Sequence, residues 1–114
     1  MSKKVYIAGP LSTGGEYSVI CQNVAKAIDA ADLVFQWGGF PFLPHLSHYW
    51  NIRYYHPWDE WMKLDRAFIV VCDIVWRLPG ESRGADQEVQ WANELDIPVI
   101  YSIAELREML FFPV

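Results

Sequence analysis

The stretch Ser82-Arg83-Gly84-Ala85-Asp86-Gln87-Glu88 holds the residue types needed for chemistry on an anchored anion. It follows an apolar run, Ile74 to Leu78, that stops at Pro79-Gly80. A buried strand, a break and then a helix is the expected order. Ser82 stands where an N-cap should stand. Gly84 has no Cβ and lets a ligand approach the first turn. Glu88 lies one turn further along the same face. The free N–H groups and partial positive charge of a helix start suit phosphate. A carboxylate one turn inside such a pocket can act on whatever the anion anchors. The same residues also read as a capped helix with a solvated glutamate, the commoner occurrence of so short a pattern.

A second loop has similar character. Val5 to Ala8 reads as a short buried strand, and Gly9-Pro10 ends it. Leu11-Ser12-Thr13-Gly14-Gly15 follows, and then a helical apolar spacing runs from Tyr17 to Trp37 through Ile20, Val24, Ala27, Ile28, Ala31 and Val34. Strand, glycine loop and helix is an order that cradles phosphate. The loop lacks the closing Gly-Lys-Ser/Thr of a P-loop and the GxGxxG of dinucleotide folds.

The elements that must position these loops alternate along the chain. Phe40 to Pro44 reads as a short strand interrupted by Pro41. His45 to Tyr55 is aromatic and irregular, a flap or an interface segment, and His45 reads evenly as an idle loop residue or a substrate contact. Pro57 to Val71 spaces Trp58, Trp61, Leu64/Asp65, Phe68 and Cys72 for a helix, although Phe68-Ile69-Val70-Val71 favours strand by propensity. Strands are expected over Asp73–Leu78 and Ile97–Tyr101, with a last helix over Ala104–Leu110. Trp76 and Arg77 read equally as ligand contacts or as a core indole and a rim cation. Alternation of this kind implies one domain over residues 1–114. Its expected architecture is a three-layer, doubly wound parallel sheet of four to five strands, flavodoxin- or Rossmann-like, with ligands beyond the strand C-terminal ends.

The totals exclude several classes. With 114 residues, 53% of them apolar, the chain suits one globular core. A net charge of −5 argues against a polymeric nucleic-acid partner but not against a single nucleotide. No apolar run is long enough to span a bilayer, and no signal-peptide core follows Met1-Ser2-Lys3-Lys4. Cys21 and Cys72 read as buried thiols in a reducing, cytoplasmic setting. His45 and His48 lack a third ligand at a recognised spacing, so neither metal nor cofactor is expected. Six Trp, six Tyr and six Phe exceed what a small core needs and fit a dimer interface or a pocket for a flat ring.

Taken together, Val5-Tyr6-Ile7-Ala8-Gly9-Pro10, Gly14-Gly15, Cys72-Asp73, Ser82-x-Gly84-x-x-x-Glu88, Ala92 and Ile97-Pro98-Val99 resemble the nucleoside 2-deoxyribosyltransferase-like superfamily. The short length and the Gly-Gly loop resemble its nucleoside 5′-monophosphate N-glycosidase branch. The resemblance implies that Glu88 is the nucleophile at the anomeric carbon. An aspartate eight residues before the strand-opening Asp73, here Asp65, handles the proton on the base, and Tyr6 matches the tyrosine of the first strand. Phosphate would be held by Gly9, Pro10, Ser12, Gly14, Gly15 and Ser82, with His45 and Gly84 nearby. Pro10 stands where that branch often has Ser, and the loop from Gly9 to Gly14 is one residue longer. The implied partner is a small nucleotide or nucleoside, and the implied assembly is a homodimer or higher homo-oligomer. The alternatives are a 2-deoxyribosyltransferase, which hands the sugar to another base, and a nucleotide-binding module without catalysis.

Overall fold

The computed structural model describes residues 2–12 and 15–112. The chain runs β1 (Lys4–Ala8), α1 (Tyr17–Gln36), β2 (Phe40–Phe42), a 3-10 turn (Pro44–Leu46), α2 (Ser47–Arg53), α3 (Trp58–Ile69), β3 (Ile74–Arg77), α4 (Arg83–Glu94), β4 (Val99–Ile100) and α5 (Ile103–Phe111). The four strands form one parallel sheet in the order β2-β1-β3-β4. Parallel strands need covered faces, and helices cover both. This is the three-layer, flavodoxin-like arrangement expected from the alternation.

Strand alternation divides the core in two. Val5 and Ile7 of β1 stand in register with Ile74 and Trp76 of β3. These side chains pack with Ala27, Ala31 and Val34 of α1 and Leu106 of α5. Tyr6, Ala8 and Val75 point the other way, against Ile69, Ala85 and Ala92. Tyr6 therefore faces α3 and α4, the two helices that carry the acidic candidates. Its ring is held in a stack. Phe42 of β2 lies 5.5 Å from it, and Phe68 of α3 lies 4.2 Å beyond Phe42 with nearly parallel rings. Asp73 helps to fix the register, since its side chain accepts the Lys4 backbone N–H and its own N–H reaches the Lys4 carbonyl.

Several sequence expectations are corrected. His45 to Tyr55 is not irregular, because it folds into the 3-10 turn and α2. It escapes detection because α2 is seven residues long, buries none of them and has aromatic side chains all round. The strand expected over 97–101 shortens to Val99–Ile100. The helix expected over Pro57–Val71 is present as α3, where Met62, Asp65 and Ile69 are buried and the strand propensity of Phe68 and Ile69 is overridden. Cys72 is buried but Cys21 is only half-buried. Trp76 belongs to the core, on the face of the sheet covered by α1 and α5. Arg77 ties the β3–α4 loop together by donating to the carbonyls of Leu78 and Gly80 and to Asp86.

In this sheet β1 leads into α1 on one face, and β3 leads into α4 on the other. Their C-terminal loops diverge and open a crevice between them. Gly80 turns the β3–α4 loop with a φ of +114°. A Cβ there would also lie 2.8 Å from Pro10 Cγ. Gly84 differs, since a Cβ there meets only Met62 Sδ at 3.7 Å and Trp58 Nε1 at 4.0 Å. Gly80→Ala is therefore expected to lose about 2 kcal/mol in urea unfolding. Gly84→Ala should unfold within about 0.5 kcal/mol of the parent or be more stable.

Candidate functional site

The crevice between the β1 and β3 loops is a cleft of about 630 Å³, a size that suits a nucleotide-sized ligand. Ser82 opens α4 as its N-cap, and its Oγ accepts the Ala85 N–H at 3.0 Å. With the cap in place, α4 turns Glu88 inward, where it is 4% exposed. On the facing helix α3, Asp65 is 9% exposed. Asp65 faces both Glu88 and Tyr6 closely enough to interact with each. The Tyr6 hydroxyl, fully buried, donates to Glu88 Oε2. Three groups from a strand and two helices thus meet at the floor of one cleft. Asp65 is not the solvated residue that its charged neighbours Lys63 and Arg66 would suggest.

Burial sets the electrostatics here. Loss of water pushes Glu88 well above the usual carboxyl range, and the facing Asp65 pushes it further. Burial also raises Asp65, to about 6, against the lowering effect of its bonds to Glu88 and Tyr6. Two carboxyls in contact cannot both ionise cheaply, so the pair keeps one shared proton near neutral pH. Tyr6 is raised well above its ordinary value by burial first and by Glu88 second, and it stays protonated. An acid and a carboxylate side by side suit protonation of a leaving group together with attack at, or stabilisation of, a cationic carbon.

The glycine loop meets the cleft only in part. Gly9 and Ser12 line it, as do Ser82 and Gly84. Pro10 and Gly15 do not: Pro10 packs under Gly80, and the Gly15 N–H bonds to the Ser12 carbonyl. Gly14 lies outside the described residues. His45 is 3% exposed, with Nε2 3.1 Å from the carbonyl oxygens of Gly9 and Pro10. Those acceptors require a proton on Nε2, and burial holds the ring below its ordinary pKa. His45 therefore pins the loop as a neutral donor and lines the cleft, with Nδ1 left as an unpartnered acceptor.

Sequence reasoning missed Arg83 because the motif treats its position as free. Among the described residues lining the cleft it is the one lysine or arginine. Its guanidinium sits 4.6 Å over the Trp58 ring, at the start of α4. The aromatic segment was also undervalued, since Tyr55, Trp58 and Trp61 all line the cleft. The described residues contain no cluster of three potential metal ligands, and no helix among them is long and apolar enough to cross a membrane.

Residues 3–101 match the family described as Domain of unknown function (DUF4406). The chain belongs to the DUF4406 family. No curated protein matches it. In this DUF4406 member the matched span includes both carboxyls, Tyr6 and both loops.

The raised carboxyl of Asp65 carries a linkage. Its folded pKa of about 6 exceeds an unfolded value of about 4. The folded state thus holds the proton longer, so this group's stabilising contribution is complete below pH 4 and is lost as pH rises through 6. Asp65→Asn removes the loss and keeps a hydrogen-bonding group beside Glu88. Its stability relative to the parent should be near parity at pH 4 and higher by on the order of 2 kcal/mol at pH 7. Thermal unfolding at the two pH values measures this, and an unchanged difference would refute it.

Proposed function

We propose that this chain is an N-glycosidase that cleaves a nucleoside 5′-monophosphate into a free base and a (deoxy)ribose 5-phosphate. The observation that carries the reading is the contact of Asp65 with Glu88 on the floor of a nucleotide-sized cleft, beside two loops suited to an anion. The motifs Ser82-x-Gly84-x-x-x-Glu88 and Val5 to Pro10 support it by their resemblance to the monophosphate hydrolases.

In the proposed reaction the shared proton, held at rest by Glu88, passes by way of Asp65 to the base as the C1′–N bond breaks, and the bond's electron pair leaves with the base. Loss of that proton leaves Glu88 ionised. Its carboxylate bonds to C1′, which has become cationic in character. Water then gives a proton to Asp65 and attacks C1′, which frees Glu88. Tyr6 keeps Glu88 aimed and stabilises it as a carboxylate when the sugar departs. The 5′-phosphate rests on Ser12, Ser82 and the start of α4, with Arg83 as the neutralising cation.

Chromatography of a nucleotide panel tests this. The protein should release base from at least one 5′-monophosphate, and Glu88→Gln should lower kcat by on the order of a thousandfold while the ligand still binds. Failure to release base from any nucleotide or nucleoside sinks the glycosidase reading. A new nucleotide formed on adding a second free base would mean transfer instead. Below about pH 6 the second proton joins the pair and silences the nucleophile, so kcat/KM should fall with each further drop in pH. Arg83→Gln should raise KM for the nucleotide about tenfold and leave the matching nucleoside nearly unchanged. Equal effects on both would place the phosphate elsewhere.

A further inference from the structure

One end of the cleft takes no part in the glycosyl step as described. Trp58, Trp61 and Tyr55 wall it, and His48 and Asn51 of α2 reach it. These residues lie outside the motifs that resemble the monophosphate hydrolases.

Asn51 has a fixed orientation. Its Oδ1 accepts the His56 backbone N–H at 2.8 Å and the Trp61 Nε1–H at 2.9 Å. Both partners can only donate, so the amide cannot be turned over. Its Nδ2 is left as a donor with no partner among the described residues. Three residues earlier on the same helix, His48 Nε2 is a buried atom without a partner, and Asn51 itself lines the cleft. Buried polar atoms are nearly always satisfied, and exceptions of this kind point to an absent partner. Trp61 lies one turn before Asp65 on α3. Its bond to Asn51 therefore fixes the amide in the same cleft that Asp65 lines. Aromatic walls with a donor set between them match a planar heterocycle, whose faces pack on rings and whose edge carries hydrogen bonds.

Resting on the nucleotide reading above, we infer that this end of the cleft is the base subsite and that Asn51 Nδ2 donates to an exocyclic carbonyl oxygen, which selects nucleotides of oxo bases over those of amino bases. An amino group at the same place sets donor against donor and loses that hydrogen bond.

Equilibrium binding to Glu88→Gln, which removes turnover, tests the assignment. The probes are inosine against adenosine 5′-monophosphate and uridine against cytidine 5′-monophosphate, each in ribo and deoxyribo form. The members of each pair differ at one ring edge, oxo against amino. The oxo member should bind about tenfold more tightly in the ring size that the cleft accepts. Asn51→Asp keeps the Oδ1 acceptor and exchanges the free donor for an acceptor, so it should erase or reverse the preference. Asn51→Ala, checked for fold by circular dichroism, should bring the ratio close to one. Equal binding within both pairs, or a ratio that survives both substitutions, overturns the base assignment alone. If no nucleotide of either pair binds, the nucleotide reading falls and the base assignment falls with it.

Discussion

Burial of two carboxyl groups against one another is the constraint on which the rest of this fold depends. Each loses its water, and their proximity makes simultaneous ionisation costly, so a single proton is shared between them. Such a pair persists only where its surroundings are rigid enough to hold it. The frame supplies that rigidity by drawing the three groups from three elements. Tyr6 comes from a central strand, Asp65 from α3 and Glu88 from α4. Among the described residues, the apolar layer formed by α1, α5 and the opposite face of the sheet buries no carboxyl group and carries the packing.

Charge in this molecule is organised locally. A net charge of −5 would repel an anion at long range, yet the part of the cleft proposed for the phosphate has serine hydroxyls, a capped helix start and Arg83 beside Glu81. With a Debye length of about 8 Å at physiological salt, such neighbours outweigh the total. The cation–π contact with Trp58 holds Arg83 at the rim of the cleft without an acidic partner in that contact.

Much of this was legible in the sequence, for identifiable reasons. Glu88 and Ser82 sit in a local pattern in which cap, glycine and carboxylate lie within seven residues. The edge position of β2 agrees with Pro41, which removes a donor that a central strand would need. Asp65 left a fainter trace: it falls on the same helical face as Trp58, Trp61 and Phe68, where a charged residue is out of place unless buried for a purpose. Its role came from the family resemblance, and its contact with Glu88 depends on two helices that no local window covers. The helix at Ser47–Arg53 was illegible because tertiary bonds such as Trp61 to Asn51 hold it in place, and its own residues show no single apolar face. His45 was undecidable from sequence because its buried position depends on the carbonyls of Gly9 and Pro10, thirty-five residues and more away.

The pairing of β1 with β3 has a consequence beyond cohesion. Val5 and Ile7 on one side of β1 and Tyr6 on the other are all tolerated by apolar neighbours. A slip of one residue would exchange them and still leave hydrophobic side chains inside. It would also set an aliphatic group beneath the carboxyls, so the hydroxyl there would be gone while most of the packing survived. The bonds from Lys4 to Asp73 act as an alignment key, and a mispaired chain lacking them would be a compact isomer of the same sheet without the tyrosine beneath its carboxyls.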